Sequence, residues 1–450
     1  MKPILVTLFS VLALQAQIPP DAEIRAILSD RIDTLQRNVG IAVGVIDAKG
    51  KRFVNYGTFA VDDKRPVSSD TIFEIGSVTK VFTSLVLADM VQRGEVSLDD
   101  PVAKFLPPDV KVPERGGKQI TLLDLSTQTS GLPRMPSNFA PKDPGNPYAD
   151  YSTDKLFAFL SSYTLTRDIG AQYEYSNLGV GLLGTALARR AGTDYEGMIR
   201  ARIAGPLKME STVVSLPAQV KAARLALGHD DTRQIVPNWD LTALAGAGAI
   251  RSDTADMLAF VAAFLGYADT PLAKAMEMMT KTRRPGPSKE IEIAMAWHIT
   301  HRGDREIVWH NGGTGGYRSF VGFDPKARSG VVLLSNMSSA VGVDDIGMHL
   351  LDSSAPLAKL TPLKVRKEIT LDPALLDTYT GVYDFVPGVT LTITREGQRM
   401  FAQLTGQPRF EIFAETGHDF FLKVVDAQLT FEKDAVVLHQ NGRDQRAKRQ

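Results

Sequence analysis

Ser77-Val78-Thr79-Lys80 is the segment of this chain with the most chemistry in it. Val78, Val81, Phe82, Leu85 and Ala88 recur at helical spacing, so Ser77 falls at a helix N-terminus and Lys80 one turn later on the same face. An ammonium buried beside the positive end of a helix loses proton affinity, which makes Lys80 a base near neutral pH. A hydroxyl with a base in reach is the minimum for nucleophilic acyl transfer, and the Ser77 N–H can point at the developing oxyanion. The tetrapeptide alone is weak, because Ser-x-x-Lys arises by chance about once or twice in a chain of this length. Ser152-Thr153-Asp154-Lys155 also matches, and its acidic first turn marks Ser152 as a helix N-cap.

Tyr175-Ser176-Asn177 lies on the loop entering a second apolar helix, which starts at Leu178-Gly179-Val180. Tyr175 can pass a proton to a leaving group, and Asn177 can hydrogen-bond a substrate amide and hold Lys80. The plainer alternative is a capping Asn177 and a packed Tyr175. His310-Asn311-Gly312-Gly313 runs into Thr314-Gly315-Gly316 between two strand-like runs. Glycines at a strand edge permit close approach of a substrate. The Gly313 N–H is a candidate second oxyanion donor, and His310 or Asn311 a candidate contact for a substrate carboxylate or leaving group. The plainer alternative is a glycine-rich turn. Phosphate binding is disfavoured, since the loop lacks the Gly-Lys-Ser/Thr ending and the strand-then-helix context of a P-loop.

These residues need a scaffold. Residues 40–47 and 51–57 predict two strands joined by the turn Ala48-Lys49-Gly50. A helix-rich middle follows over roughly residues 77–270. Strand character returns at 294–300, 306–310, 317–323 and 330–335, and a helix at 344–351 closes the unit. This order predicts an α+β fold: an antiparallel sheet flanked by helices, plus an all-helical subdomain. Periodicity is lost over 353–367, and six short strands follow at 390–395, 399–405, 411–415, 419–424, 428–433 and 436–440, reading as a small C-terminal β-barrel.

The chain has 450 residues, 44% hydrophobic and 23% charged, an ordinary globular composition. Lys plus Arg and Asp plus Glu both total 51, which argues against nucleic acid as a partner. There is no cysteine, so disulfides, thiolate chemistry and lipid attachment at an N-terminal Cys are excluded. Residues 1–16 read as a signal peptide, with an uncleaved anchor as the alternative, and imply export to a periplasm or the medium. No later stretch is long and apolar enough to span a bilayer. The expected organisation is a signal peptide over 1–16, a hydrolase domain over 17–355, a linker over 356–372 and a barrel domain over 373–450.

The three elements in this order resemble the serine β-lactamase and penicillin-recognising superfamily. The likeness is greatest to its class C β-lactamase branch, with D,D-peptidase, D-aminopeptidase and esterase relatives. Thr121 to Pro133, Gly246 to Ser252, Asn311 to Tyr317 and Val331 to Asn336 resemble further family segments, so the likeness spans approximately residues 20–352. It implies a β-lactamase/transpeptidase-like fold and an acyl-enzyme on Ser77. Lys80 matches the partner base, Tyr175 the proton-transfer position and Asn177 the amide contact. His310 and Gly312 fall in the third motif, and Gly313 matches the oxyanion donor. Relatives often carry Lys-Thr-Gly there, where the lysine binds the β-lactam carboxylate. Histidine is mostly neutral at pH 7, and His-x-Gly versions occur among the esterases and peptidases. Gln128 stands where many relatives have His or Tyr. The C-terminal region resembles a lipocalin-like barrel found in some members. The implied activity is serine hydrolysis of a small-molecule or peptide substrate (β-lactam, D-amino-acid peptide or small ester), without cofactor or metal. A penicillin-binding sensor that acylates without turnover is the alternative, and a homo-oligomer is compatible with the reading.

Overall fold

The run from Gly40 to Asp47 is apolar or small at nearly every position, which suits a strand covered on both faces. The computed structural model describes residues 18–363, 366–386, 388–425, 427–440 and 443–450. The expected signal peptide lies outside the described residues. In the structure that apolar run is β1 (Gly40–Asp47), buried at every position before Asp47. It forms a hairpin with β2 (Gly50–Gly57). The rest of the eight-stranded antiparallel sheet is β3 (Arg284–Ser288), β4 (Ile291–Ile293), β5 (His298–Arg302), β6 (Arg305–Gly313), β7 (Arg318–Asp324) and β8 (Ser329–Ser335). The order across it is β2-β1-β8-β7-β6-β5-β4-β3, so the two ends of this unit are joined where β1 pairs with β8.

Among the helices that pack on the sheet or carry the site are α1 (Asp21–Ser29), α2 (Thr79–Gln92), α3 (Asn177–Ala191), α4 (Thr254–Phe264) and α5 (Asp344–Leu351). On one face of the sheet, Ile24 and Leu28 of α1 and Ile346 and Leu350 of α5 share a core with Val43, Phe320 and Leu333. On the other, Phe82 of α2 and Leu258 of α4 pack with Ala42, Val321 and Leu334. Successive strand residues point to opposite faces, so Ile307 belongs to the first core and Val308 to the second. Helix α2 is buried continuously from Thr79 to Met90, and its all-round apolar character suits a helix enclosed by its neighbours. Phe82 stacks on Phe260 at 4.4 Å between ring centroids, locking α2 to α4.

Of the expected strand over 294–300, only residues 298–300 are strand, and 294–297 form a turn. Strands β4 and β5 are separated by a tight turn in which the Ala294 N–H donates to the Trp297 carbonyl at 2.8 Å. Ala296 there takes a φ of 63°. The turn drives Trp297 into the core against Phe264 and Phe323. Ala294 to Trp297 is as apolar as a buried strand, so hydropathy alone does not reveal the break.

The chain divides into two compact units between Leu360 and Thr361. The second begins its regular structure with the helix Pro373–Tyr379 and continues as a closed eight-stranded barrel from β9 (Gly381–Val386) to β16 (Arg443–Arg449). Its core includes Ile393, Ile412, Phe420, Leu429, Phe431 and Val436. The sequence pattern reveals the inner strands and misses the first and last. In β16 only Ala447 is buried, so that strand is held by its ladder and carries little hydrophobic pattern.

Replacing Phe82 with Ala is expected to cost about 3–5 kcal/mol of stability. Scanning calorimetry and denaturant titration measure this, and a loss below about 1 kcal/mol would contradict the packing of α2 against α4.

Candidate active site

A chain that must place a hydroxyl at the start of a helix needs a sharp turn before it. Phe73-Glu74 pairs with Arg251-Ser252, and the Ile75 N–H donates to the Ile250 carbonyl at 3.0 Å. Gly76 then turns with φ 50°, and a single 3₁₀ turn, Gly76–Val78, leads into α2. A Cβ on Gly76 would lie 2.6 Å from the Gly313 nitrogen, and one on Gly312 would lie 2.0 Å from the Ile75 carbonyl oxygen. The two glycines are what let β6 press against the turn carrying Ser77. The Ser319 hydroxyl fastens the contact by donating to the Ile75 carbonyl at 2.7 Å. The Ser77 N–H belongs to a first helical turn, which lacks intrahelical acceptors, and the Gly313 N–H lies on the strand pressed against that turn.

Lys80 is fully buried, with its Nζ 2.9 Å from Ser77 Oγ. Nζ also donates to the Ala247 carbonyl at 2.7 Å and lies 4.8 Å from the centre of the Tyr175 ring. It forms no ion pair among the described residues. Burial, followed by the nearby Arg134 charge, pulls its pKa well below the ordinary lysine value. The opposite happens at Tyr175: burial raises its pKa, against the partial opposition of a hydrogen bond with Ser77, and the phenol keeps its proton.

Tyr175 is held through its two chain neighbours. Ser176 caps α3, its Oγ accepting from the Gly179 N–H at 2.8 Å and donating to the Pro133 carbonyl at 2.7 Å. Gln128 accepts from the Ser176 N–H through Oε1 at 2.7 Å, and its carbonyl accepts from the Glu174 N–H at 2.8 Å. The two bonds from Gln128 bracket Tyr175. To make them Gln128 adopts φ 60°, a left-handed conformation that costs a non-glycine residue of order 1–3 kcal/mol.

Asn177 is therefore not the cap. Its Nδ2 donates to the Tyr148 hydroxyl at 3.4 Å, while its Oδ1 is buried without a partner. The bond to Lys80 suggested by the sequence is made by Ala247 instead. His310 is buried, and its Nδ1 donates to the Asn311 carbonyl at 2.5 Å, so Nε2 is left as an acceptor without a partner. Burial above all, reinforced by the nearness of the basic groups His298 and Lys80, holds it well below the usual histidine range. His298 lies 5.2 Å away ring to ring and is itself pushed down to about 4 by burial.

Asn311 is not brought to the site. Its Nδ2 donates to Asp344 Oδ2 at 2.5 Å, at the start of α5 on the opposite face of the sheet. Alternation along β6 requires this once His310 and Gly312 face α2. Sequence reasoning also misses Tyr148 and Trp239, which line the cleft with Ser77, Asn177 and Gly313. Their rings meet at 5.2 Å. Aromatic residues within polar, proline-rich loops are the available signal. The Glu292, His301 and Glu306 group lies across the neighbouring strands β4, β5 and β6, where Arg283 pairs with both glutamates, so it offers a metal little free charge.

A half-buried serine facing a desolvated lysine and a protonated tyrosine, on a helix beneath an antiparallel sheet, defines the serine-hydrolase class with the Ser-x-x-Lys arrangement. The chain belongs to the Beta-lactamase family, whose family model matches residues 28–350. A second model, for a domain of unknown function (DUF3471), matches residues 365–438. The chain is 28% identical over 333 residues to D-alanyl-D-alanine-carboxypeptidase/endopeptidase AmpH of Escherichia coli (strain K12), covering 69% of this chain and 84% of that protein. It is similar to the crystal structure of a class C β-lactamase from Rhodobacter sphaeroides, with TM-score 0.63, 25% identity and coverage of 74% of this chain and 99% of that one. The fold also matches an octameric penicillin-binding protein homologue from Pyrococcus abyssi, with TM-score 0.65, 22% identity and coverage of 95% and 99%. The protein is a serine hydrolase of this family.

The lowered lysine pKa fixes the sign of a pH dependence. With Lys80 as the base that takes the Ser77 proton, as proposed below, its neutral form is the competent one, and kcat/KM is expected to rise with pH as Lys80 loses its proton and to level off well below the ordinary lysine value of 10.5. Lys80→Arg, which keeps its proton throughout, is expected to lose about 10²- to 10⁴-fold in kcat. A profile still rising at about pH 10, near the unperturbed lysine range, would contradict the desolvated lysine.

Proposed function

We propose that Ser77 is the nucleophile of a two-step hydrolysis through an acyl-enzyme, acting on an amide or ester. The observation that carries this reading is the 2.9 Å approach of Lys80 Nζ to Ser77 Oγ, with no carboxylate partner for the lysine among the described residues. Neutral Lys80 takes the Ser77 proton as Oγ attacks the substrate carbonyl. The Ser77 and Gly313 N–H groups stabilise the resulting oxyanion. As the tetrahedral intermediate collapses, Tyr175 gives its hydroxyl proton to the leaving group and is reprotonated by the Lys80 ammonium. Water, activated by the same pair, then attacks the acyl-enzyme, releasing the acid and restoring Ser77. Asn177 Oδ1, buried and free, accepts from a substrate amide N–H.

The substrate is a D-amino-acid peptide, a small ester or a β-lactam, and any carboxylate it carries is met outside the third motif. A lysine in the third motif would offer an anion anchor, whereas His310 is buried and held neutral. Among the described residues no helix is long and apolar enough to cross a membrane. Export through residues 1–16, a lipocalin-like character for the barrel and homo-oligomerisation belong to the same proposal.

Purified protein is to be assayed with a p-nitrophenyl ester, a D-alanyl-D-alanine peptide and a chromogenic cephalosporin, alongside Ser77→Ala and Ser152→Ala. Turnover is expected in the parent, lost in Ser77→Ala and kept in Ser152→Ala, whose serine caps the helix Thr153–Ser162. A single stoichiometric acylation without turnover would favour a sensor. Full activity in Ser77→Ala would overturn the assignment.

A further inference from the structure

If Lys80 and His310 work as neutral groups, neither supplies a lasting positive charge to the site. Among the described residues, Arg251, Arg318 and Arg134 each bond to a residue that lines the cleft, namely Trp239, Thr314 and Asn177. Arg251 is ion-paired to Glu74 at 3.3 Å and Asp240 at 3.1 Å. Arg318 is spent on the backbone carbonyls of Thr314, Tyr317, Ser338 and Ser339.

Arg134 differs from both. It follows Gly131-Leu132-Pro133, and its carbonyl accepts from the Asn177 N–H at 3.0 Å, which fixes its backbone beside the Tyr175 loop. Its guanidinium carbon lies 4.9 Å from the centre of the Tyr175 ring, the ring that Lys80 Nζ approaches to 4.8 Å. The side chain is exposed and forms no ion pair or hydrogen bond among the described residues. Glu174, the acid beside Tyr175 in the chain, is already paired with Arg167. The Arg134 charge lowers the proton affinities of Lys80, Tyr148, Tyr173 and Tyr175, and Tyr148 lines the cleft. A planar guanidinium resting on an aromatic ring, with its donors unspent, is suited to a two-pronged bond to a carboxylate.

We propose that Arg134 is the anion anchor of this site and selects substrates that carry a carboxylate. The proposal rests on the acyl-enzyme reading and adds the substrate's charge to it. The carboxylate can sit on the acyl portion or on the leaving group, and the recognition chemistry is the same for both. Arg134 acts as a specificity determinant and takes no part in bond making.

The test compares isosteric depsipeptide pairs in which a terminal carboxylate is replaced by a carboxamide, at the acyl end in one pair and at the leaving-group end in the other. In the parent protein, kcat/KM for the carboxylate member of one pair should exceed that of its carboxamide by about tenfold. The preference should shrink as ionic strength rises, since a partly exposed pair is screened. In Arg134→Gln the ratio should fall to near one, and in Arg134→Lys it should be intermediate. Using the ratio cancels any change in Lys80 or Tyr175 basicity, which affects both members alike. The pair that loses its preference identifies the end that Arg134 grips. Equal turnover of carboxylate and carboxamide in the parent, or a preference that survives Arg134→Gln, would overturn the anchor while leaving the hydrolase reading intact. Turnover of the depsipeptides that persists in Ser77→Ala would instead overturn the acyl-enzyme reading on which the anchor depends.

Discussion

The burial of Lys80, which has no counter-ion among the described residues, is the constraint on which the candidate site depends. An ammonium in such a place, facing a carbonyl, a hydroxyl and an aromatic ring, costs several kcal/mol unless it gives up its proton. The neutral amine relieves that cost and is also the form able to accept a proton from Ser77. Under the proposed mechanism the same desolvation serves folding and chemistry together. It requires a helix enclosed on every side, and α2 meets that requirement by sharing one core with α3, α4 and the sheet. A more ordinary amphipathic helix would expose one face to water and leave the lysine charged.

The other parts of the site bring their groups to that buried amine without breaking the enclosure. Gly76 and Gly312 reduce the separation between β6 and the Ser77 turn below what any side chain would allow. Gln128 accepts a left-handed backbone to hold both neighbours of Tyr175. Strain at that residue is offset by two hydrogen bonds to backbone N–H groups and by its burial. His310, with its Nδ1 proton committed to a carbonyl, adds an acceptor to the site without adding charge.

Much of this is legible in the sequence, for identifiable reasons. Ser77 and Lys80 stand out because helical periodicity resumes immediately after them and places them one turn apart. Ser152 is separable from Ser77 because an acidic first turn is the mark of a cap, and its hydroxyl does accept from the Lys155 N–H. The strands β1, β2, β7 and β8 come from strand-like runs between turn residues. What is not legible depends on long-range geometry. The side of β6 to which Asn311 points is set by where α5 packs, and no local pattern encodes that. Ala247 holds Lys80 through a carbonyl, a group every residue possesses. Strand β16 closes the barrel by backbone pairing, with a single buried side chain to announce it.

Lys80 is a neutral amine in the resting protein if desolvation governs the site, and titration of that one side chain tests this most directly. Isotope-labelled lysine Cε resonances, assigned by their loss in Lys80→Arg, report the proton on Nζ as pH is varied. One resonance should titrate well below the ordinary lysine value of 10.5 and be absent from the variant. A Lys80 resonance titrating at or above that value would contradict the desolvated base.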